Sequence, residues 1–121
     1  MAALAKIHGI VLECRDPVAL GEFYHALTGW ERSWADDNWV MLGDDDTGRL
    51  SFQRAPDHVP PTWPDPASSM QFHLDFVTDD LEAAEQRVVD LGAKRLDDGA
   101  DPNLRVFADP AGHPFCLFRE G

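Results

Sequence analysis

The chain has 121 residues, the length of one domain that buries a core of its own. Hydrophobic residues make up 44% of it, and 22 acidic against 10 basic side chains give a formal charge of -12. Phosphate backbones and anionic membrane surfaces call for a basic face, so neither nucleic acid nor a lipid surface is expected as a partner.

No apolar run reaches the ~18 residues of a membrane-spanning helix. The opening MAALAKIHGIVLE lacks a basic region, an apolar stretch and a cleavage site in that order, so a cytoplasmic location is expected. Two cysteines, Cys14 and Cys116, read as reduced thiols, not a disulfide frame. No glycine-rich phosphate loop and no paired C-x-x-C is present.

Residues 7–14, IHGIVLEC, are apolar and β-branched and predict a strand. Asp16 before Pro17 predicts a helix start, with a capping carboxylate and proline in the first turn. Leu20, Phe23, Tyr24 and Leu27 follow at helical spacing over 17–28, and Gly29 predicts the stop. Short strands are expected at 38–42 and 49–54, with GDDDTG as their turn. Asp44, Asp45 and Asp46 have neither the glycine nor the closing glutamate of a calcium loop, so a solvated turn is expected. Residues 55–69 hold five prolines and predict an ordered connector, with Trp63 as its buried anchor.

The pattern then repeats. MQFHLDFVT predicts a strand. Asp79 or Asp80 caps a helix over about 80–91 with Leu81, Ala84, Val88 and Leu91 on one face, and Gly92 ends it. Strands near 93–96, 104–108 and 114–118 complete the chain. Each half reads as strand, capped helix, glycine, short strands. This predicts α+β architecture from a duplicated unit: module one at about 5–55, a connector at 56–69, module two at about 70–119.

DPVALGEFYHALTGW, HLDFVTDDLEAAEQRVVDLGAKR and DPAGHPF together resemble the vicinal-oxygen-chelate superfamily of glyoxalases, bleomycin-binding proteins and extradiol dioxygenases, in its glyoxalase-like subgroup. The resemblance implies two βαβββ modules forming a curved mixed sheet around a cleft, helices on the outer face, and commonly a homodimer. It also implies a metal held by two side chains from each half. Carried over residue by residue, those positions are Gly9, Ser51 or Gln53, His73 and Cys116. Only His73 and Cys116 would be metal ligands of any strength, a poor set for ions that take imidazole and carboxylate. No resident cofactor is therefore expected, with a divalent metal as the alternative.

Strand alternation refines the site. It sets His73 and Asp75 on the cleft side, opposite Leu74 and Phe76. It sets Cys116 there too, opposite Phe115 and Leu117, and Gly9, Val11 and Glu13 opposite Ile10, Leu12 and Cys14. His73 is either a hydrogen-bonded cleft residue or a ligand-contacting, acid–base group. Cys116 is either a small buried hydrophobe or a thiol activated by His73. Glu13 and Asp75 are candidate assisting carboxylates. WERSW places Trp30, Arg32 and Trp34 on one side of a strand.

The expected ligand pocket is Trp34, Trp39, Ser51, Gln53, Trp63, His73 and Cys116. A few polar groups among aromatic walls suit a small molecule. The expected function is therefore small-molecule binding with a degenerate metal site. The alternative is a lyase, isomerase or dioxygenase that uses His73, Glu13 and Asp75. Glyoxalase I activity itself is not expected, because its enediolate needs the full metal site.

Overall fold

The computed structural model describes residues 3–62 and 72–119. Trp63 and the rest of 63–71, where the pocket's connector wall was expected, lie outside the described residues. The chain divides into two compact units, Met1–His58 and Val59–Gly121.

The first unit runs β1 (Ile10–Cys14), α1 (Pro17–Thr28), β2 (Arg32–Ala35), β3 (Trp39–Asp44) and β4 (Gly48–Arg54). Its sheet order is β1-β4-β3-β2, with β1 parallel to β4 and the other pairs antiparallel. The second runs β5 (Leu74–Val77), α2 (Leu81–Asp90), β6 (Lys94–Arg95), β7 (Leu104–Ala108) and β8 (Pro114–Phe118). Its order is β5-β8-β7-β6, again with one parallel pair, β5 and β8. The fold is thus α+β, built of two βαβββ modules.

Local chemistry sets the helix ends. The Asp16 carboxylate accepts the Ala19 N–H at 3.1 Å, and Gly29 adopts a left-handed φ of 73° as its N–H closes on the His25 carbonyl. Asp80, not Asp79, caps α2 by accepting the Ala83 N–H at 3.1 Å. Gly92 follows the second helix at a φ of 111°.

Each helix packs on one face of its own sheet. In the first unit Leu20, Phe23 and Tyr24 are buried, and Tyr24 stacks on Phe52 with ring centroids 5.5 Å apart. In the second, Leu81 and Val88 of α2 are buried, as are Phe107, Phe115 and Leu117 of the sheet. Arg105 on β7 pairs with Glu82 at 2.6 Å and Glu85 at 3.1 Å, and Arg95 pairs with Glu85 and with Asp97, both at 3.0 Å. The Glu82 and Glu85 pairs tie α2 to its sheet.

Two local expectations are corrected. The strand expected from residue 7 starts at Ile10, where the ladder to β4 begins with Ile10 beside Leu50. A β-bulge interrupts β2: Arg32 pairs with Leu42, while Trp34 pairs with Met41. Three residues oppose two there, so the alternation breaks. Arg32 takes the face of buried Leu42, and Trp34 takes the other, instead of the two sharing one side.

Candidate functional site

Both sheets have one face covered by a helix and one that is not. In the second unit the helix side is fixed by Arg105, whose guanidinium reaches the α2 carboxylates. Phe76 and Leu117 share its row, and Phe115 contacts Phe76 and Phe107 at centroid distances of 6.0 and 5.5 Å. Asp75, in register with Cys116, therefore stands on the face away from α2, and Cys116 is in register with Val106 on its other side.

His73 lies just before β5 and joins that pair. Ligand atoms of His73, Asp75 and Cys116 all lie within 4.8 Å of one another. The imidazole Nε2 is 3.1 Å from Asp75 Oδ1. His73 and Asp75 are exposed, whereas Cys116 is only 5% exposed.

Burial pushes the Cys116 thiol up to about 11, and the neighbouring Asp75 carboxylate adds to the rise through its charge and a hydrogen bond. Cys116 is therefore a protonated donor at neutral pH. Of the two sequence alternatives, this environment favours the small buried thiol over an activated one, because the charge facing the sulfur is the carboxylate, which opposes a thiolate. Iodoacetamide is expected to alkylate Cys116 far more slowly than free cysteine at pH 7, as mass spectrometry of the intact protein would read.

A tight turn carries β8 into place. The buried Asp109 carboxylate accepts the N–H groups of Ala111 (2.8 Å) and His113 (3.0 Å). Gly112 adopts a φ of 92°, and a Cβ there would lie 2.3 Å from Pro60 Cβ. Gly112→Ala is expected to cost about 2 kcal/mol, from the left-handed backbone and the overlap, read as a lower urea midpoint with unchanged slope.

In the first unit, the face away from α1 carries two rows set by register. Val11, Ser51, Met41 and Trp34 form one, and Glu13, Gln53 and Trp39 form the next. Ser51 and Gln53 thus share this face one pleat apart, so the choice between them dissolves. Ser51 is 4% exposed and Trp34 57% exposed. Of the expected pocket residues, Trp34, Trp39, Ser51 and Gln53 stand together on this face. His73 and Cys116 stand together in the second unit.

The four inherited metal positions do not make a metal site by their chemistry. Gly9 has no donor side chain, and a Cβ there would sit 2.8 Å from Arg49 Cβ, so Arg49 crowds that position. Ser51 offers a neutral hydroxyl and Gln53 an amide. His73, Asp75 and Cys116 could hold a borderline ion such as zinc by donor type, provided the ion displaces the thiol proton.

The structure also contains an open cavity of about 380 Å³ that the sequence did not reveal, on the α1 side of the first unit. Gly21, Val40 and Leu42 line it, with Glu22, Glu31 and Arg32. Glu22 was legible as a polar position of the helix. The bulge that turns Arg32 toward α1 leaves no mark in the sequence.

Among proteins of curated function, none matches this sequence. Solved structures of the same fold are numerous. A glyoxalase/bleomycin resistance protein/dioxygenase family enzyme from Burkholderia phytofirmans is 17% identical with a TM-score of 0.73, over 95% of this chain and 98% of its own. A fosfomycin resistance protein from Mesorhizobium loti is 14% identical with a TM-score of 0.73, over 98% and 95%. A glyoxalase-related enzyme from Fulvimarina pelagi is 18% identical with a TM-score of 0.70, over 97% and 89%. At these identities the likeness is one of fold. The model of the glyoxalase-like domain matches residues 9–118, nearly the whole sequence, and the chain belongs to that family.

Proposed function

We propose that this protein binds a small molecule on helix-free sheet faces, without a resident metal. The observation that carries the reading is the row arrangement of Trp34 and Trp39 with Ser51, Gln53 and Glu13 on the sheet face away from α1. Two indoles supply apolar contact area, and a few polar groups supply orientation. In the second unit, His73 and Asp75 are the polar contacts and Cys116 is a donor beside them. The charge of -12 favours a ligand that carries a positive group. Names of similar structures, which include bleomycin and fosfomycin resistance, support natural-product-sized ligands.

Bleomycin, a cationic molecule with planar rings, is the first probe. Titration is expected to quench tryptophan fluorescence saturably. Trp34→Ala and Trp39→Ala are each expected to weaken binding by at least about tenfold, or ~1.4 kcal/mol. Binding that survives both substitutions unchanged would sink the assignment of this face.

A second reading is favoured by the 3.1 Å His73–Asp75 pair. An imidazole oriented by a carboxylate suits a general base, so a lyase, isomerase or dioxygenase-type enzyme is the alternative, with Glu13 as a further carboxylate. If a divalent ion were held by His73, Asp75 and Cys116, it would supply Lewis-acid polarisation of a ligand oxygen. His73→Ala that abolishes turnover of a bound compound while leaving its affinity intact supports the enzyme. A fully active His73→Ala removes the catalytic role.

The same proposal includes a homodimer, a cytoplasmic location and the module bounds 5–55 and 70–119. No helix of the described residues is long and apolar enough to cross a membrane. Sedimentation equilibrium of the full chain tests the dimer.

A further inference from the structure

Two side chains converge on one carboxylate in the second unit. His73 Nε2 lies 3.1 Å from Asp75 Oδ1. The Cys116 sulfur lies within 4.8 Å of the same carboxylate. The convergence has two sources: His73 lies two residues before Asp75, just ahead of β5, and register sets Asp75 beside Cys116. Among the described residues no arginine or lysine forms a salt bridge with Asp75.

An ionised carboxylate accepts hydrogen bonds and cannot donate them. The ring nitrogen that faces it must therefore carry a proton. In the neutral imidazole this leaves the other nitrogen, Nδ1, as a bare acceptor.

We propose that Asp75 is a positioning residue that fixes His73 in the Nε2–H tautomer, so that Nδ1 is the atom His73 presents and its ligand meets it with an N–H or O–H donor. The ligand class rests on the binding reading above; the tautomer does not. An ammonium, amidinium, amide or alcohol fits this acceptor. A deprotonated carboxylate or phosphate does not, because it brings lone pairs to a lone pair beside a carboxylate.

The test is nitrogen-detected NMR of the imidazole rings in the ¹⁵N-labelled full chain, first with no ligand added. The Nε2–H form is expected throughout. Asp75→Ala is expected to shift both ring nitrogens toward a tautomer mixture. Asp75→Asn, whose amide oxygen still accepts, is expected to restore much of the wild-type pattern. An Nδ1–H tautomer in the wild type, or ring nitrogens unmoved by Asp75→Ala, overturns the positioning role.

Benzamidine and benzoate then form a matched pair, one a planar donor and the other a planar acceptor. Benzamidine is expected to move the Nδ1 resonance saturably, and benzoate to leave it in place. Benzoate acting as strongly as benzamidine overturns the ligand class. Silence toward both, with the tautomer intact, overturns the binding reading while leaving Asp75 its role.

Discussion

Phe115→Ala is expected to destabilise the protein by about 3–5 kcal/mol, the range for truncating a fully buried aromatic. Phe115 has no solvent exposure. Its ring meets Phe107 in a stacked arrangement at 5.5 Å and Phe76 edge-on at 6.0 Å, so truncation removes contacts to two neighbouring strands at once. Neither neighbour can move into the gap without leaving its own ladder position, so much of the void stays open. Urea denaturation of wild type and variant reads the loss. A second consequence follows from the pleat. Phe115 and Cys116 point to opposite faces of β8, so packing beneath the strand holds the thiol against Asp75. Cys116 in Phe115→Ala should therefore be alkylated faster than in wild type. A loss under about 1 kcal/mol would mean that this core repacks freely, against the cavity argument.

Asp97→Ala carries the second large effect, about 2–3 kcal/mol. The Asp97 side chain is 11% exposed and pairs with the Arg95 guanidinium through both oxygens, at 3.0 and 3.1 Å. It also accepts the Val106 and Gly99 N–H groups, each at 2.9 Å. The Arg95 pairing, with these two N–H groups, holds its carboxyl well below the usual carboxylate range. Removal leaves the Arg95 guanidinium with Glu85 alone and strands two backbone donors. The sign of the pH effect follows. A carboxyl whose folded pKa is depressed contributes stability above its unfolded value of about 3.9, and that contribution is lost as pH falls through the folded value. Wild type should lose this contribution progressively below about pH 4, whereas Asp97→Ala should show a shallower decline there. Parallel pH curves for the two proteins would contradict the assignment.

Much of the fold was legible because its punctuation is local. Asp16–Pro17 and Asp80 cap their helices through short side-chain-to-backbone bonds, and glycine suits the left-handed positions after both. β7 and β8 fall on the expected 104–108 and 114–118, where β-branched and aromatic residues are flanked by turn residues. The bulge in β2 was not legible. Neither glycine nor proline marks it, and the slip from Leu42 to Met41 is a property of the pairing. The side on which His73, Asp75 and Cys116 stand follows from period-two alternation. That Asp75 lies in register with Cys116 does not, because register belongs to two strands together. That register sets a carboxylate beside the buried Cys116 thiol, which bears on the two alternatives the sequence leaves open for it.

The reading turns on whether the His73–Asp75–Cys116 cluster serves an organic ligand or an ion. The most direct measurement is metal content by mass spectrometry of the purified, untagged protein, before and after exposure to nickel, zinc, iron and manganese. The account predicts that no ion is retained through desalting, with Cys116 still a protonated thiol beside Asp75. Near-stoichiometric metal that disappears in His73→Ala would contradict it, and would make Cys116 a thiolate ligand in a metal-dependent protein.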